Sequence, residues 1–477
     1  MQSRRDQVQA HLFVMSRLSS GMLRAEPDAP DTPHGRTTRG TLTGVILGGL
    51  AAVGMTVYGL ISPGGSTGWA KAGTLVVVNE TGARYLYLGG ELHPVLNIAS
   101  ARLVAGAQLT VDQVSQNSLS GAQVGAPLGI VGAPDTLPDG TALADRTWLA
   151  CGTQPTGGGA AELTLALAPR SRGTSLTAGQ GTLVSAPDGS VYLLWQGQRM
   201  QVAAGEGVLQ ALGYGTDTPF PVTESFLDAL PAGPVLAAPD IPNRGKAGPR
   251  LSNNPTRIGQ LFALPTGQRY VLTSAGLVPI DAMLYKLLSG DPMTQSQAYR
   301  GAAVTTVLIG AADLEAHSAQ GAAPGTTLPT DAPQLVTVGQ GQGVCAESRL
   351  GSGAPAVALT VVSAAAVAGQ APTAQPGVVP GCAAADLVAV PAQGGTLVRA
   401  LSGAGVGTTE YLVTDAGVKY PLASADATTA LGYSGVAALA APGALLALLP
   451  TGPSLDPAEL AAGGVVEPAP AAGACAS

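Results

Sequence analysis

The residue types that most often carry chemistry are few and widely separated in this chain. Its four histidines are His11, His34, His93 and His317. Their scatter does not match the spacing of a metal site or a catalytic triad. Gly245-Lys246-Ala247 lacks the hydroxyl residue that a phosphate-binding loop places after its lysine. The sequence therefore predicts no catalytic residue, no cofactor site and no metal site.

The cysteines are the one set with an expected covalent role. There are four, Cys151, Cys345, Cys382 and Cys475. An even number beyond a membrane anchor predicts two disulfides, because thiols oxidise outside the cytosol. Spacing alone leaves three pairings open. The simplest hypothesis joins Cys151 to Cys345 within one central domain, which leaves Cys382 and Cys475 to hold the C-terminal tail.

The element that would place them outside the cytosol is an apolar segment near the N-terminus. Residues 40–70 contain no charged residue, and residues 42–61 form an apolar run of 20. A helix of that length spans a hydrocarbon core of about 30 Å. Six arginines precede it, and the next basic residue is Lys71. Positive residues remain in the cytoplasm, so we predict a cytoplasmic N-terminus and an extracytoplasmic C-terminal region. A cleavable signal peptide and a buried core helix are the alternatives.

Composition limits what the exterior region can be. The chain has a net charge of −7, and its first 39 residues hold six basic against four acidic residues. The exterior is therefore mildly acidic, which does not suggest a nucleic-acid binder. With 66 glycines, 37 prolines and only 11% charged residues, short strands and many turns are expected. Apolar runs at 354–369 and 436–449 are short or broken by proline, so we predict buried segments there and a single membrane pass.

Four stretches share one pattern: an apolar strand, a glycine turn, a strand with tyrosine, a second glycine turn and a third strand. The tyrosines that mark them are Tyr85, Tyr192, Tyr270 and Tyr411. A shared core position for these rings is favoured over a ladder that stacks on sugar. His93 occupies the place of Met200, Val278 and Tyr420 in the other copies, which indicates packing. A short helix follows, ending at Gly213 and Gly432 in the second and fourth copies.

Unequal spacing of the copies indicates two inserts that pack into one central domain. The predicted segments are a cytoplasmic arm (1–39), a transmembrane helix (40–62), repeat 1 (63–140), the first insert of the central domain (141–178), repeat 2 (179–240), a linker (241–256), repeat 3 (257–333), the second insert of the central domain (334–392), repeat 4 (393–455) and a C-terminal tail (456–477). The predicted fold class is a single-pass membrane protein with a mostly β, or α+β, extracytoplasmic region of four small repeats around a central disulfide-linked domain.

The cytoplasmic arm has a helix pattern of its own. Ser3 and Asp6 form a capping box, and apolar residues then recur at helical spacing from Val8 to Met22. So short an arm offers this face nothing of its own to pack on. We expect it to dock on a partner protein, with the anionic membrane surface as the alternative.

Several of these stretches resemble one family. They are 5–11 (RDQVQAH), 63–69 (PGGSTGW), 81–85 (TGARY), 92–97 (LHPVLN) and 100–104 (SARLV). With the repeat order and the cysteine-bearing centre, the chain is similar to EccB, the single-pass membrane component of type VII (ESX-type) secretion systems. Repeat 4 departs from the pattern by its longer first turn, and Cys382 and Cys475 are not part of the resemblance.

The resemblance implies a function. EccB-like proteins assemble with EccC, EccD and EccE, and EccC is the ATPase motor of that complex. The chain is expected to be a non-enzymatic structural component that contacts membrane lipid, forms a homo-oligomer and helps to form or gate the export path. ATP hydrolysis has been proposed for some members, but no nucleotide motif is present here. A peptidoglycan-binding module that stacks glycan on Trp69, Trp148 and Trp195 is the second hypothesis, and a nucleotide hydrolase is the third.

Overall fold

The computed structural model describes residues 3–25, 33–61, 67–155, 158–205, 207–319, 325 and 327–468. The chain divides into two compact units. Unit 1 comprises Met1–Leu92 and Val111–Gln123, and unit 2 comprises His93–Thr110 and Val124–Ser477.

The described helices are mostly short, apart from two near the N-terminus. They are α1 (Arg4–Arg24), α2 (Pro33–Ile61), α3 (Ile98–Ala105), α4 (Val208–Leu212), α5 (Glu224–Asp228), α6 (Ala282–Gly290), α7 (Ala311–His317), α8 (Ala425–Ala430), α9 (Gly443–Ala447) and α10 (Pro457–Ala461).

Short strands make up most of the remaining regular structure, as the content of glycine and proline predicts. Those before residue 230 are β1 (Thr74–Val78), β2 (Arg84–Leu88), β3 (Glu91–Pro94), β4 (Thr110–Val114), β5 (Gly129–Ile130), β6 (Thr147–Thr153), β7 (Glu162–Leu167), β8 (Thr174–Ser175), β9 (Gln180–Ser185), β10 (Val191–Trp195), β11 (Gln198–Gln201) and β12 (Phe220–Pro221). Those after it are β13 (Leu261–Ala263), β14 (Arg269–Thr273), β15 (Gly276–Ile280), β16 (Val307–Leu308), β17 (Gln334–Leu335), β18 (Gln342–Arg349), β19 (Val357–Ser363), β20 (Leu387–Ala389), β21 (Thr396–Ser402), β22 (Gly405–Val413), β23 (Lys419–Leu422), β24 (Leu439–Pro442) and β25 (Val465–Val466).

Four sheets have the same strand order, third–second–first–fourth. They are the first sheet (β3-β2-β1-β4), the second (β11-β10-β9-β12, with β17 also on β9), the third (β15-β14-β13-β16) and the fourth (β23-β22-β21-β24). The first three strands form an antiparallel meander, as in β14 with β13 and β15. In the second, third and fourth sheets the fourth strand runs parallel to the first strand. The second strand of each of these sheets carries one of the tyrosines noted in the sequence, namely Tyr85, Tyr192, Tyr270 and Tyr411.

A six-stranded central sheet has the order β20-β7-β6-β18-β19-β8. All of its strands lie within residues 141–178 and 334–392, the two segments between the repeated patterns. β6 and β18 are antiparallel neighbours, and Cys151 lies directly opposite Cys345.

The second and fourth sheets pack against the central sheet through one apolar core. It contains Trp148 of the central sheet, Val184 of the second and Val398 of the fourth, each at most 1% exposed. The opposite face of the second sheet packs on α4 and α6, through residues such as Leu193, Leu212 and Leu287. The face of the fourth sheet that points away from the central sheet packs on α3, α8 and α10.

Two predicted boundaries differ from the structure. The long apolar helix begins at Pro33, seven residues before the predicted start at residue 40. Proline is favourable in the first turn of a helix, because its missing N–H has no partner there in any case. Residues 26–32 of the predicted arm lie outside the described residues.

The segment predicted as a linker (241–256) is packed rather than extended. Ile241 and Leu251 are 1% and 2% exposed and belong to the apolar cores of the third sheet. Arg244, which is almost fully buried, pairs with Asp291 and donates to the carbonyl of Pro239 at 2.8 Å. A charge removed from water needs such partners, and they fix the segment against the third sheet.

Candidate functional site

The potential metal ligands among the described residues are dispersed. Within them, no group of three or more His, Cys, Asp or Glu side chains could hold a metal ion. The Nδ1 atom of His93 lies 2.9 Å from the carbonyl oxygen of Ala126, which is a structural contact. Lys246 donates to the side-chain oxygen of Asn243 at 2.7 Å within the packed segment described above. The histidine and the lysine considered in the sequence are therefore held in local structural roles.

The aromatic rings considered for sugar stacking are mostly in cores. Trp69, Trp148 and Trp195 are 6%, 1% and 7% exposed. Tyr270 is 7% exposed, and Tyr85, Tyr192 and Tyr411 pack against core clusters. A sugar ring needs an open aromatic face, and the buried tryptophans and Tyr270 do not offer one. The shared tyrosine therefore supports packing of the sheets, which was the favoured interpretation.

A cleft of about 780 Å³ borders the central sheet. Its lining is mainly alanine, proline and valine, with Arg170 and Asp415 as its charged residues. This cleft therefore presents a mainly apolar surface with one residue of each charge.

The surfaces that remain as a candidate site belong to the two N-terminal helices of unit 1. α1 begins at a capping box in which Ser3 accepts from the Asp6 N–H at 3.4 Å and the Asp6 carboxylate accepts from the Ser3 N–H at 3.2 Å. Large apolar side chains along α1 are more than half exposed: Val8, Leu12, Phe13, Val14, Met15, Leu18 and Met22. Contiguous exposed apolar surface of this kind marks a docking site.

α2 contains the candidate membrane span, Thr37–Tyr58, none of which is buried within the structure. A helix this apolar with no protein cover matches the chemistry of lipid. Its glycines Gly44, Gly48 and Gly54 have nothing within 4 Å of where a β-carbon would stand. The helix therefore carries small-residue positions at which another membrane helix can approach closely.

The covalent link predicted for the exterior region is present. Cys151 and Cys345 form a disulfide with a Cα–Cα distance of 4.0 Å and a sequence separation of 194 residues, and neither side chain is exposed. Cys382 is also disulfide-bonded. Cys475, its predicted partner, lies outside the described residues. The bond between β6 and β18 closes a chain loop that contains the whole of the second and third sheets.

Buried polar groups fix the ends of the helices around the second and fourth sheets. The Tyr433 hydroxyl donates to the carbonyl of Pro138 at 2.8 Å, and the Tyr214 hydroxyl donates to the carbonyl of Pro333. Burial raises the pKa of both tyrosines to about 12. Arg102 of α3 donates to the carbonyl of Leu431, 329 residues away, at 2.9 Å. These contacts join residues far apart in the chain and give no sequence signal, apart from the Gly-Tyr pairs at 213–214 and 432–433, which mark two of the positions.

The fold and these surfaces define a protein with one candidate membrane helix, an exposed N-terminal helix and a large, disulfide-linked, β-rich region. The family model described as "Type VII secretion system ESX-1, transport TM domain B" matches residues 1–465. The chain therefore belongs to the EccB family of type VII secretion systems.

Curated relatives are more distant than the family match suggests. "ESX-3 secretion system ATPase EccB3" of Mycobacterium tuberculosis is 28% identical over 301 residues, which are 61% of this chain and 54% of that protein. "ESX-1 secretion system ATPase EccB1" of the same species is 31% identical over 147 residues, 31% of this chain and 30% of that protein. The chain thus spans about half the length, or less, of these relatives in the matched regions.

Solved structures of similar fold come from the same secretion systems. A chain of the "EccB3 dimer from the ESX-3 core complex" has a TM-score of 0.61 and 24% identity, covering 81% of this chain and 98% of that one. A chain of the "intact ESX-5 inner membrane complex" has a TM-score of 0.61 and 22% identity, covering 96% and 95%. At these identities the likeness establishes the fold.

Proposed function

We propose that this protein is a structural component of a type VII secretion membrane complex. α2 anchors it in the cell membrane, and the region after α2 lies outside the cytosol, oligomerises and helps to form or gate the export path. Its partners are the components EccC, EccD and EccE. The observation that carries this proposal is the combination of one apolar helix with a large region stabilised by a fully buried disulfide.

The orientation follows from charge and redox chemistry. All six arginines of residues 1–39 precede the span, and basic residues remain on the cytoplasmic side. Disulfides form and persist outside the reducing cytosol. Protease added to intact spheroplasts should therefore degrade the region after α2. If that region were untouched while lysed cells lost it, the proposed topology would be excluded.

The exposed face of α1 supports docking on another component of the complex. We expect the full-length protein, solubilised in mild detergent from its native host, to co-purify with other membrane components. Leu12→Glu places a charge on the apolar face and should weaken that co-purification, whereas Ala10→Glu adds the same charge roughly 160° around the helix from Leu12 and should preserve it. A monomer without any co-purifying membrane protein would contradict the proposal. Equal recovery of the membrane components with both variants would show that the apolar face of α1 does not contribute to docking.

ATP hydrolysis is the second candidate, because the relatives are named ATPases. If the chain hydrolyses ATP, turnover must survive removal of contaminating ATPases and fall in a defined point variant. Lys246→Ala is the sharpest choice, since Lys246 is the lysine of the glycine–lysine pair in the sequence. We expect no turnover above that of the variant.

A further inference from the structure

The fourth sheet has a longer hairpin than the other three. β2, β10 and β14 each have five residues, whereas β22 has nine. β23 pairs only with residues 410–413 of β22. On that side, residues 405–409 therefore have no strand partner among the residues that the structure describes. We call residues 405–409 the free edge.

The free edge is open to solvent and lies beside a cleft. All five of its residues are exposed, and Val406 is 44% exposed. The cleft, of about 680 Å³, is lined by hydroxyl side chains that include Thr408, Thr428 and Ser434. Its charged residues already neutralise each other, because Arg399 donates to Glu410 at 3.2 Å. An incoming strand thus meets unpaired backbone groups and no net charge.

Natural sheets usually protect such an edge with lysine, proline or a covering element. Residues 400–409 (ALSGAGVGTT) contain neither a charged residue nor a proline. The chain as a whole has a net charge of −7, so net like charge opposes the approach of two copies. The uncharged hairpin is a place where two copies can meet without like charges facing each other, and this favours a second copy of the chain as its partner.

We propose that the free edges of two copies pair as antiparallel strands around a two-fold axis at Gly407. Identical antiparallel strands are self-complementary, as a two-fold interface requires. In this register Val406 of one copy lies opposite Thr408 of the other, and Gly405 lies opposite Thr409. Five residues on each side bury far less than the roughly 1,000 Å² of an independent interface. The pairing therefore acts between copies already held side by side in one membrane, which raises their effective concentration. It rests on the oligomerisation in the proposed function.

Disulfide trapping tests the register in the full-length protein in native membranes. Two differently tagged copies are co-expressed, one with Val406→Cys and the other with Thr408→Cys, and mild oxidant is added. Directly opposed strand positions fit disulfide geometry, so we expect roughly five-fold more cross-linked heterodimer than for copies that both carry Ala404→Cys in the turn. A yield equal to that of the turn control, or cross-linking to a different protein, would overturn the pairing.

A charge swap tests the same contact without a new bond. Copies with Val406→Lys and Thr408→Lys should show lower mutual co-purification than unaltered copies, because like charges face each other across the pair while the other contacts of the oligomer remain. Mixing them with copies carrying Val406→Asp and Thr408→Asp should restore it. No restoration would overturn the pairing. Recovery of the other membrane components from the same samples shows whether the proposed function fails with it or stands alone.

Discussion

The second and fourth sheets share one topology and one neighbour, yet they obtain their stability differently. Both pack one face on the central sheet through the core around Trp148. The second sheet lies inside the chain loop closed by Cys151 and Cys345. Its other face is covered with help from α6, which lies between the third and fourth strands of the third sheet in the chain. The fourth sheet lies outside that loop, and α3, about 300 residues earlier, covers its other face. The same strand order is therefore stable in two surroundings, because helices from different parts of the chain cover the second face of each sheet.

The third strands of the two sheets sharpen the contrast. In both sheets, a later segment of the chain runs beside the third strand. The backbone of Arg199 forms a β-bridge with Ala232, and the backbone of Lys419 forms one with Thr451. The Arg199 side chain forms a salt bridge with Asp228 at 2.8 Å, and the Asp228 side chain is 62% exposed. Lys419 instead donates to the carbonyls of Leu446 and Leu449 at 2.5 and 2.8 Å inside the protein. Equivalent backbone positions therefore hold one solvated and one buried cation.

The largest effect is expected from the disulfide. Replacing Cys151 and Cys345 with alanine should lower the free energy of unfolding by about 4–5 kcal/mol, since the loop they close is long. Hydrogen exchange should increase over residues 180–221, inside the loop, more than over residues 396–442, outside it. Denaturant unfolding of the full chain in detergent measures the total. Equal exchange in both sheets would show that the loop makes no difference between them.

Lys419 should give the fourth sheet a pH dependence that the second lacks. Burial lowers the pKa of Lys419 to about 8, so between pH 8 and about 10.5 the unfolded chain binds more protons than the folded one. Stability therefore rises with pH across that window, by up to about 3 kcal/mol. Lys419→Met should abolish the rise, whereas Arg199→Met should preserve it. A rise retained in Lys419→Met would assign it to another group.

Two matched glycines test how tightly each sheet is closed. A β-carbon on Gly452 would meet the buried ring of Tyr420, whereas one on Gly233 would meet side-chain atoms of Gln198 and Met200 at 2.9 Å. Flexible side chains move more easily than a buried ring. We expect Gly452→Ala to cost about 2–3 kcal/mol and Gly233→Ala about 1 kcal/mol or less, as measured by thermal unfolding. A larger cost at Gly233 would reverse the ranking.

The smallest effect is expected at the helix starts. Ser424 caps α8 by accepting from the Ala427 N–H at 3.3 Å, whereas α4 begins at Gly207 without a side-chain cap. Ser424→Ala should cost about 1 kcal/mol and Ser424→Gly only a few tenths. The same thermal unfolding measures both. If glycine cost as much as alanine, the loss could not be assigned to the cap.

Local patterns predicted much of this structure. The capping box at Ser3 and Asp6, the apolar span, the meander strands and the helix stop at Gly213 each depend on residues within a few positions of one another. Gly213 adopts a φ of +91°, a left-handed conformation that glycine adopts without steric cost. The pair of Cys151 and Cys345 was inferred because each lies in one of the two inserts between the tyrosine patterns, and the structure joins them in a disulfide.

Contacts between distant segments could not be predicted in the same way. Residues 241–256 have the composition of a linker, but the partner that holds Arg244 is Asp291, beyond an intervening sheet. α3 follows the first strand pattern, yet it packs on α8 and α10. Neither the Arg244–Asp291 pair nor the packing of α3 produces a periodic pattern in the sequence. Each contact depends on which surfaces meet after the sheets have formed.

The sequence by itself determined the long apolar helix, the predominance of short strands and the turns at glycine, because these follow from composition and short-range spacing. The tertiary structure decided which helices complete which sheet, that the supposed linker is packed and that one hairpin edge is left open. Those outcomes depend on burial and pairing between residues far apart in the chain. They are set by the shapes of the folded surfaces and not by any local pattern.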